Sequence, residues 1–314
     1  MILKWIKYLL GFLIVGFLLW YLAVNWHDVK HLLKLDFRDI IIIYLTALIG
    51  SINSAVVVME ILRPMGIRAY FWNMFMLQNT CMLLNYVPMK LGTLFFANYL
   101  KRHYGLKFSH FGTFSVFLTL LIAAISCFMG VLVMVFVYGV ADVQKQLLAI
   151  AFLIIFIASV LMIFLPLPIP KGQSKLSIFI RDFISGRSFV TKDNKALLIA
   201  SFFLFLNFIV SSIRIGVIYY SMGVEIHPAG FLVLGVLGYI VLFANFTPGA
   251  LGVREAVLGA GAVILGVPLE AGVTAALIDR GITLIWAFTV GGFCTCLLRF
   301  NSPADFKKEN LYNK

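Results

Sequence analysis

Acidic residues are few: 13 Asp and Glu stand against 25 Lys and Arg in 314 positions, and only 12% of the chain is charged. Soluble domains carry roughly a quarter charged residues. A chain with half that share, 62% hydrophobic and with a mean hydropathy of +1.02, is not a secreted, nuclear or cytosolic globular protein. Cysteine is equally scarce. Cys81, Cys127, Cys294 and Cys296 all lie inside apolar runs, whereas a disulfide framework or a zinc site needs Cys or His grouped in polar segments. The five histidines, His27, His31, His103, His110 and His227, sit in loops or at the ends of apolar runs, with no carboxylate at metal-ligand spacing. There is no G-x-S-x-G, no Walker loop and no nucleophile beside a base. The sequence thus offers little to an enzyme and asks for no cofactor.

What the chain does have is long apolar runs. Stretches 8–24, 40–60, 111–138, 147–165, 196–222 and 271–298 are long enough, at about 20 residues each, to cross a bilayer as helices. A membrane β-barrel would show short alternating segments instead. The expected fold is an all-α integral membrane protein, a single domain over 1–314 with about six full spans. The first run is followed by Asn25-Trp26-His27-Asp28 rather than a small-x-small cleavage site, so it reads as an uncleaved span. In such a chain a net charge of +12 does not point to nucleic acid, because loop Lys and Arg set orientation and meet anionic headgroups.

Two further apolar regions are broken in the middle. Region 69–100 contains Asn85-Tyr-Val-Pro-Met-Lys-Leu-Gly92, and region 229–266 contains Asn245-Phe-Thr-Pro-Gly-Ala-Leu-Gly252. Proline removes a donor and clashes one turn back, so each region is expected to form two helices. A return arm over 89–100 would reach only about 18 Å, too short for about 30 Å of hydrocarbon. Both regions are therefore read as re-entrant hairpins. Charge distribution agrees. With hairpins and a cytoplasmic N-terminus, 17 Lys and Arg fall inside and 4 outside (Lys30, Lys34, Arg38 and Lys145); with two kinked spans the counts become 9 and 12. The positive-inside rule selects the hairpins and places both termini in the cytoplasm of a cell-membrane protein. The basic loop 166–195, opening at Pro166-Leu-Pro-Ile-Pro170, is too short for a catalytic domain and is expected to lie against anionic headgroups.

The hairpin tips share Asn-aromatic-x-Pro-x-x-Leu-Gly at a separation of 160 residues, and Met65-Gly66-Ile67 and Met222-Gly223-Val224 precede them. By span counting, the halves 40–138 and 196–298 run in opposite senses. Inverted repeats with broken helices mark alternating-access transporters, whose substrate sits where the repeats meet.

Six ionisable groups fall within or beside these apolar regions: Lys90, Arg214, Arg254, Glu255, Asp279 and Arg280. Each is costly in hydrocarbon and so a functional candidate. Their sum of +2 asks for an anionic ligand. Arg254 and Glu255 lie in the first turns of a return helix, where unpaired N–H groups and an arginine suit a phosphate, and Gly249 and Gly252 allow close backbone approach. The expected binding set is Asn85, Pro88, Lys90, Gly92, Arg214, Asn245, Pro248, Gly249, Gly252, Arg254, Glu255, Asp279 and Arg280. A competing reading makes Arg254, Glu255, Asp279 and Arg280 a salt-bridge network between hairpin and last span, with Arg214 paired to Glu225 or Asp279. Ser51, Asn53, Ser54, Asn207, Ser211 and Ser212 are expected to join helices rather than line a path, and Gly259, Gly261 and Gly266 to allow close helix packing.

The run Pro248-Gly-Ala-Leu-Gly-Val-Arg-Glu-Ala256, then Leu265-Gly-Val-Pro268 and Asp279-Arg280, resembles the transmembrane domain of the lysylphosphatidylglycerol synthase/flippase family. Ala250 replaces a glycine of that family's pattern, and Tyr86-Val-Pro-Met-Lys-Leu-Gly92 is a looser match in the first half. The resemblance implies a flippase moving a phosphate-bearing lipid, such as lysylphosphatidylglycerol, between leaflets. The alternative it implies is a membrane subunit or enzyme of lipid modification, of the phosphatidylglycerol lysyltransferase type or transferring lipid-linked sugar. Full-length members add a soluble domain that transfers lysine from charged tRNA. With the chain ending at Lys314, that domain is expected to be missing. The implied partners are anionic or lysyl-modified phospholipids and a separately encoded synthase.

Overall fold

The computed structural model describes residues 36–86, 91–139, 142–165, 193–241 and 252–300, with isolated positions at 174, 177, 181, 184 and 191. The expected first span, 8–24, and most of loop 166–195 lie outside the described residues. Within them there is no strand. Ten α-helices follow one another: α1 (Phe37–Leu62), α2 (Phe71–Leu84), α3 (Leu91–Tyr104), α4 (Phe108–Val133), α5 (Val143–Phe164), α6 (Asn194–Ser221), α7 (Pro228–Ile240), α8 (Val253–Ile264), α9 (Leu269–Trp286) and α10 (Gly292–Phe300). A π turn prolongs α4 over Met134–Tyr138, and another, Ala287–Gly291, joins α9 to α10.

Five continuous helices are long and apolar enough to cross a bilayer: Phe37–Met65, Phe108–Tyr138, Val143–Phe164, Asn194–Ser221 and Leu269–Leu298. They coincide with the five expected spans after the first. Helix satisfies every backbone group internally, which hydrocarbon demands. Large apolar side chains point outward, as Val143, Leu147, Ile154 and Phe164 do on α5; in lipid this exposure costs nothing. The chain is an all-α integral membrane protein.

The two interrupted regions each form two short helices. α2 and α3 have 14 residues, α7 has 13 and α8 has 12, so none exceeds about 21 Å at about 1.5 Å per residue. The return arm of the first pair extends past the expected 100 to Tyr104, and Lys101, Arg102 and His103 form its last turn. Cations there complement the negative end of the helix dipole, which explains why the basic triplet prolongs the helix instead of ending it.

Left-handed glycines punctuate both halves alike. At Gly66 (φ 81°) Ile67 N–H donates back to Leu62 C=O at 3.2 Å, and at Gly223 (φ 69°) Val224 N–H donates to Tyr219 C=O at 3.1 Å. These Schellman-type ends favour glycine because a Cβ is strained at positive φ. Gly105 and Gly266 close α3 and α8 in the same manner. Gly266, expected to pack against another helix, is thus a turn residue with nothing close to where a Cβ would point. The order long helix, glycine turn, short pair, glycine turn, long helix therefore occurs twice.

The chain divides into two compact units: Met1–Gly50, Ile122–Ala158 and Phe205–Leu284 form one, and Ser51–Leu121, Ser159–Leu204 and Ile285–Lys314 the other. The α7–α8 pair belongs wholly to the first and the α2–α3 pair wholly to the second, whereas α1, α4, α5, α6 and α9 each contribute to both. In the second unit α2 packs against α3, the Ala287–Gly291 turn and α10. Buried Asn79 joins three elements: its Nδ2 donates to Ser51 Oγ at 2.7 Å, and Trp286 Nε1 donates to its Oδ1 at 2.8 Å. Ser51 thus joins helices as expected. So does Ser211 in the first unit, where it bonds Tyr239.

In the first unit α7 packs against α8, and α8 meets α9 at glycines. A Cβ on Gly272 would lie 2.8 Å from Gly259 Cα and 2.7 Å from Ala262 Cβ. Gly272→Ala is expected to cost about 1–3 kcal/mol by overpacking, read as a lower unfolding temperature of the detergent-solubilised protein. An unchanged temperature would show that these helices can part without cost.

Candidate functional site

α8 begins at Gly252, whose φ of 81° turns the chain into the helix. Glu255, three residues on, reaches back so that its Oε2 accepts the Gly252 N–H at 2.7 Å. A carboxylate here satisfies an otherwise orphan donor and faces the positive end of the helix dipole. Its other oxygen, Oε1, accepts from Arg280 Nη1 on α9. Glu255 is fully buried and Arg280 nearly so.

The neighbouring positions make a second group. Arg254 Nη2 donates to Asp279 Oδ2. Arg214, on α6, brings its Nε within 2.6 Å of Asp279 Oδ1. That approach is an ion pair without hydrogen-bond alignment, since neither atom makes a directed bond. Adjacent helix residues point about 100° apart, so Asp279 and Arg280 serve different partners although they are neighbours. The separation of 25 residues is the same for Arg254–Asp279 and Glu255–Arg280, a register of α8 on α9 that satisfies both at once.

The two groups differ in access. Glu255, Asp279 and Arg280 have side chains 8% exposed or less, whereas Arg214 is 16% and Arg254 25% exposed. The arginines that share Asp279 are the ones that reach the surface of the cluster. Arg254 Nε is buried without a hydrogen-bond partner, leaving it donor capacity to spare. Three arginines face two carboxylates, so the cluster carries a net charge of +1.

Of the expected binding residues, the structure brings together Arg214, Gly252, Arg254, Glu255, Asp279 and Arg280 in the first unit. The pairing of four of them, with Arg214 on Asp279, matches the salt-bridge alternative; Glu225 is not involved. Asn85 and Gly92 belong to the second unit. There Asn85 Oδ1 accepts from Thr93 N–H at 3.1 Å and ties the end of α2 to the start of α3. A Cβ on Gly92 would fall 2.0 Å from the Cys81 carbonyl oxygen, so both residues hold the short pair closed. Pro88, Lys90, Asn245, Pro248 and Gly249 lie outside the described residues. The expected excess of +2 counted Lys90.

Sequence reasoning missed Tyr239. Its hydroxyl bonds Ser211 Oγ at 3.2 Å, and it lies within electrostatic reach of Arg214, Arg254 and Asp279. The signal was present: Tyr239 is the one polar side chain in the apolar run Pro228–Ile240.

A family model described as the lysylphosphatidylglycerol synthase TM region matches residues 8–292. Among curated proteins and solved structures, nothing matches the chain.

Proposed function

Because this chain belongs to the lysylphosphatidylglycerol synthase TM-region family, we propose that it moves a phosphate-bearing lipid between the leaflets of the cell membrane, binding the phosphate at Arg214 and Arg254. The observation that carries the reading is the uncompensated positive charge of the Arg214–Arg254–Asp279 group, set in an apolar unit on the two arginines with most access. Partners within the cluster leave a surplus of positive charge that attracts an anion. Guanidinium groups suit phosphate oxygens through paired N–H donors.

The architecture of a transporter follows from two steps. Helices of about 21 Å or less do not cross about 30 Å of hydrocarbon, so the α2–α3 and α7–α8 pairs re-enter on the side from which they start. With α4 and α5 then crossing between the halves, the second half runs inverted to the first, as in alternating-access transporters. The positive-inside count puts both termini in the cytoplasm.

The geometry favours phosphate over amine as the group recognised. Both carboxylates of the cluster are engaged by arginines, and a lysyl ammonium would have to compete for them. The test is reconstitution in vesicles with fluorescent phospholipid and a membrane-impermeant quencher. Wild type is expected to equilibrate label between leaflets, and Arg254→Ala to do so about tenfold more slowly, the loss of roughly one charge-assisted hydrogen bond. Equal rates from a correctly folded variant would remove the arginine, and this reading, from the mechanism.

A further inference from the structure

Asp279 holds both accessible arginines, one on each carboxylate oxygen. A phosphate that takes the faces of Arg214 and Arg254 now turned to Asp279 replaces it. We infer that the lipid phosphodiester and the Asp279 carboxylate are alternative ligands of the two arginines, and that Asp279 takes up one proton when the phosphodiester displaces it. This rests on the proposed function and supplies the ion coupled to it.

The surroundings of Asp279 decide what happens to the displaced carboxylate. Beside it lies a cavity of about 10 Å³, lined by Ile215, Ile218, Leu234, Leu258 and Tyr219 among others. That is room for about one water, in a wall that is apolar apart from Tyr219, too little to solvate a free carboxylate. The groups facing Asp279 from its neighbours are Arg214 and Tyr219 on α6, Tyr239 on α7 and Arg254 on α8. The Glu255–Arg280 pair stands next to it and is closed on itself. No histidine or second carboxylate in this set could take the proton in its place. An unpaired carboxylate in apolar surroundings protonates.

The charge balance closes. Two arginines and one carboxylate give +1; two arginines, one phosphodiester of charge −1 and a neutral Asp279 also give +1. The proton comes from bulk water and ends on a carboxylate oxygen of Asp279; on lipid release it returns to solvent as the carboxylate re-engages the arginines. Glu255 does not exchange in this way, because its one arginine, Arg280, is only 8% exposed and its other oxygen caps α8 at the Gly252 N–H.

The experiment is calorimetric titration of the purified full chain with short-chain phosphatidylglycerol, in two buffers of different ionisation enthalpy. Wild type is expected to take up about one proton per lipid, its affinity falling about tenfold per pH unit above neutrality by linkage. Asp279→Asn is expected to bind with no proton uptake and with affinity flat in pH. The proton count on the unmodified protein stands even if that variant does not fold. Lipid binding without proton uptake overturns the exchange and leaves the proposed site standing. No binding of the lipid removes the proposed function and the exchange together. Inorganic phosphate is the second titrant: if it alone binds, with proton uptake, the exchange holds and the lipid assignment falls.

Discussion

Asp279→Ala is expected to lower stability by about 3–5 kcal/mol. Removing one partner of a buried ion pair leaves the other charge uncompensated, and here it leaves two. Arg214 and Arg254 would face each other across the vacated site, each mostly buried, with like-charge repulsion added to desolvation. Alanine also enlarges the apolar cavity already beside Asp279, which adds a packing loss. Asp279→Asn should cost less, since an amide oxygen still accepts from one arginine. Thermal unfolding in detergent, with Arg214→Ala/Asp279→Ala alongside, checks the reasoning. The double variant removes one of the stranded cations and should be more stable than Asp279→Ala alone. If it is less stable, the arginines do not depend on Asp279 for their neutralisation.

Glu255→Ala is expected to cost nearly as much, again about 3–5 kcal/mol, for a different reason. One carboxylate there does two jobs: it caps α8 through the Gly252 N–H and neutralises Arg280. A cap alone is worth about 1 kcal/mol, so most of the loss should come from stranding Arg280. This separates by experiment. Glu255→Met/Arg280→Met replaces the pair by apolar side chains of similar length, and such replacements are often close to neutral. The double variant should therefore recover all but about 1 kcal/mol. Recovery of much less would mean that the cap, or a further contact of Arg280, carries the energy.

Five of the spans were legible because long apolar runs in a bilayer have one backbone solution, and the two broken regions because Pro88 and Pro248 cannot lie inside an unbroken helix. The site was half legible. Charges such as Arg254 and Asp279 stand out against apolar neighbours in any reading of the chain. Their pairing does not, because it depends on the angular register of α8 against α9, and no spacing along one helix encodes that. Arg214 shows the difficulty best. Its own stretch of sequence left Glu225 and Asp279 both open as partners, and only the fold brings Asp279, 65 positions away, to 2.6 Å from it. Tyr239 was missed because a lone tyrosine in an apolar helix resembles an aromatic core residue until its hydroxyl partner is known. Gly266 was misjudged because helix packing and helix ending draw on the same residue, and only the backbone angle tells them apart.

The glycine turns after the short pairs are very brief: residues 105–107 join α3 to α4, and 265–268 join α8 to α9. A link of three or four residues spans little more than 10 Å fully drawn out, so it has almost no slack. Neither short pair can then slide along its neighbours without tugging the first turn of the long helix behind it. Each pair is mechanically yoked to that helix, and a push on the short arm is delivered straight into the longer one.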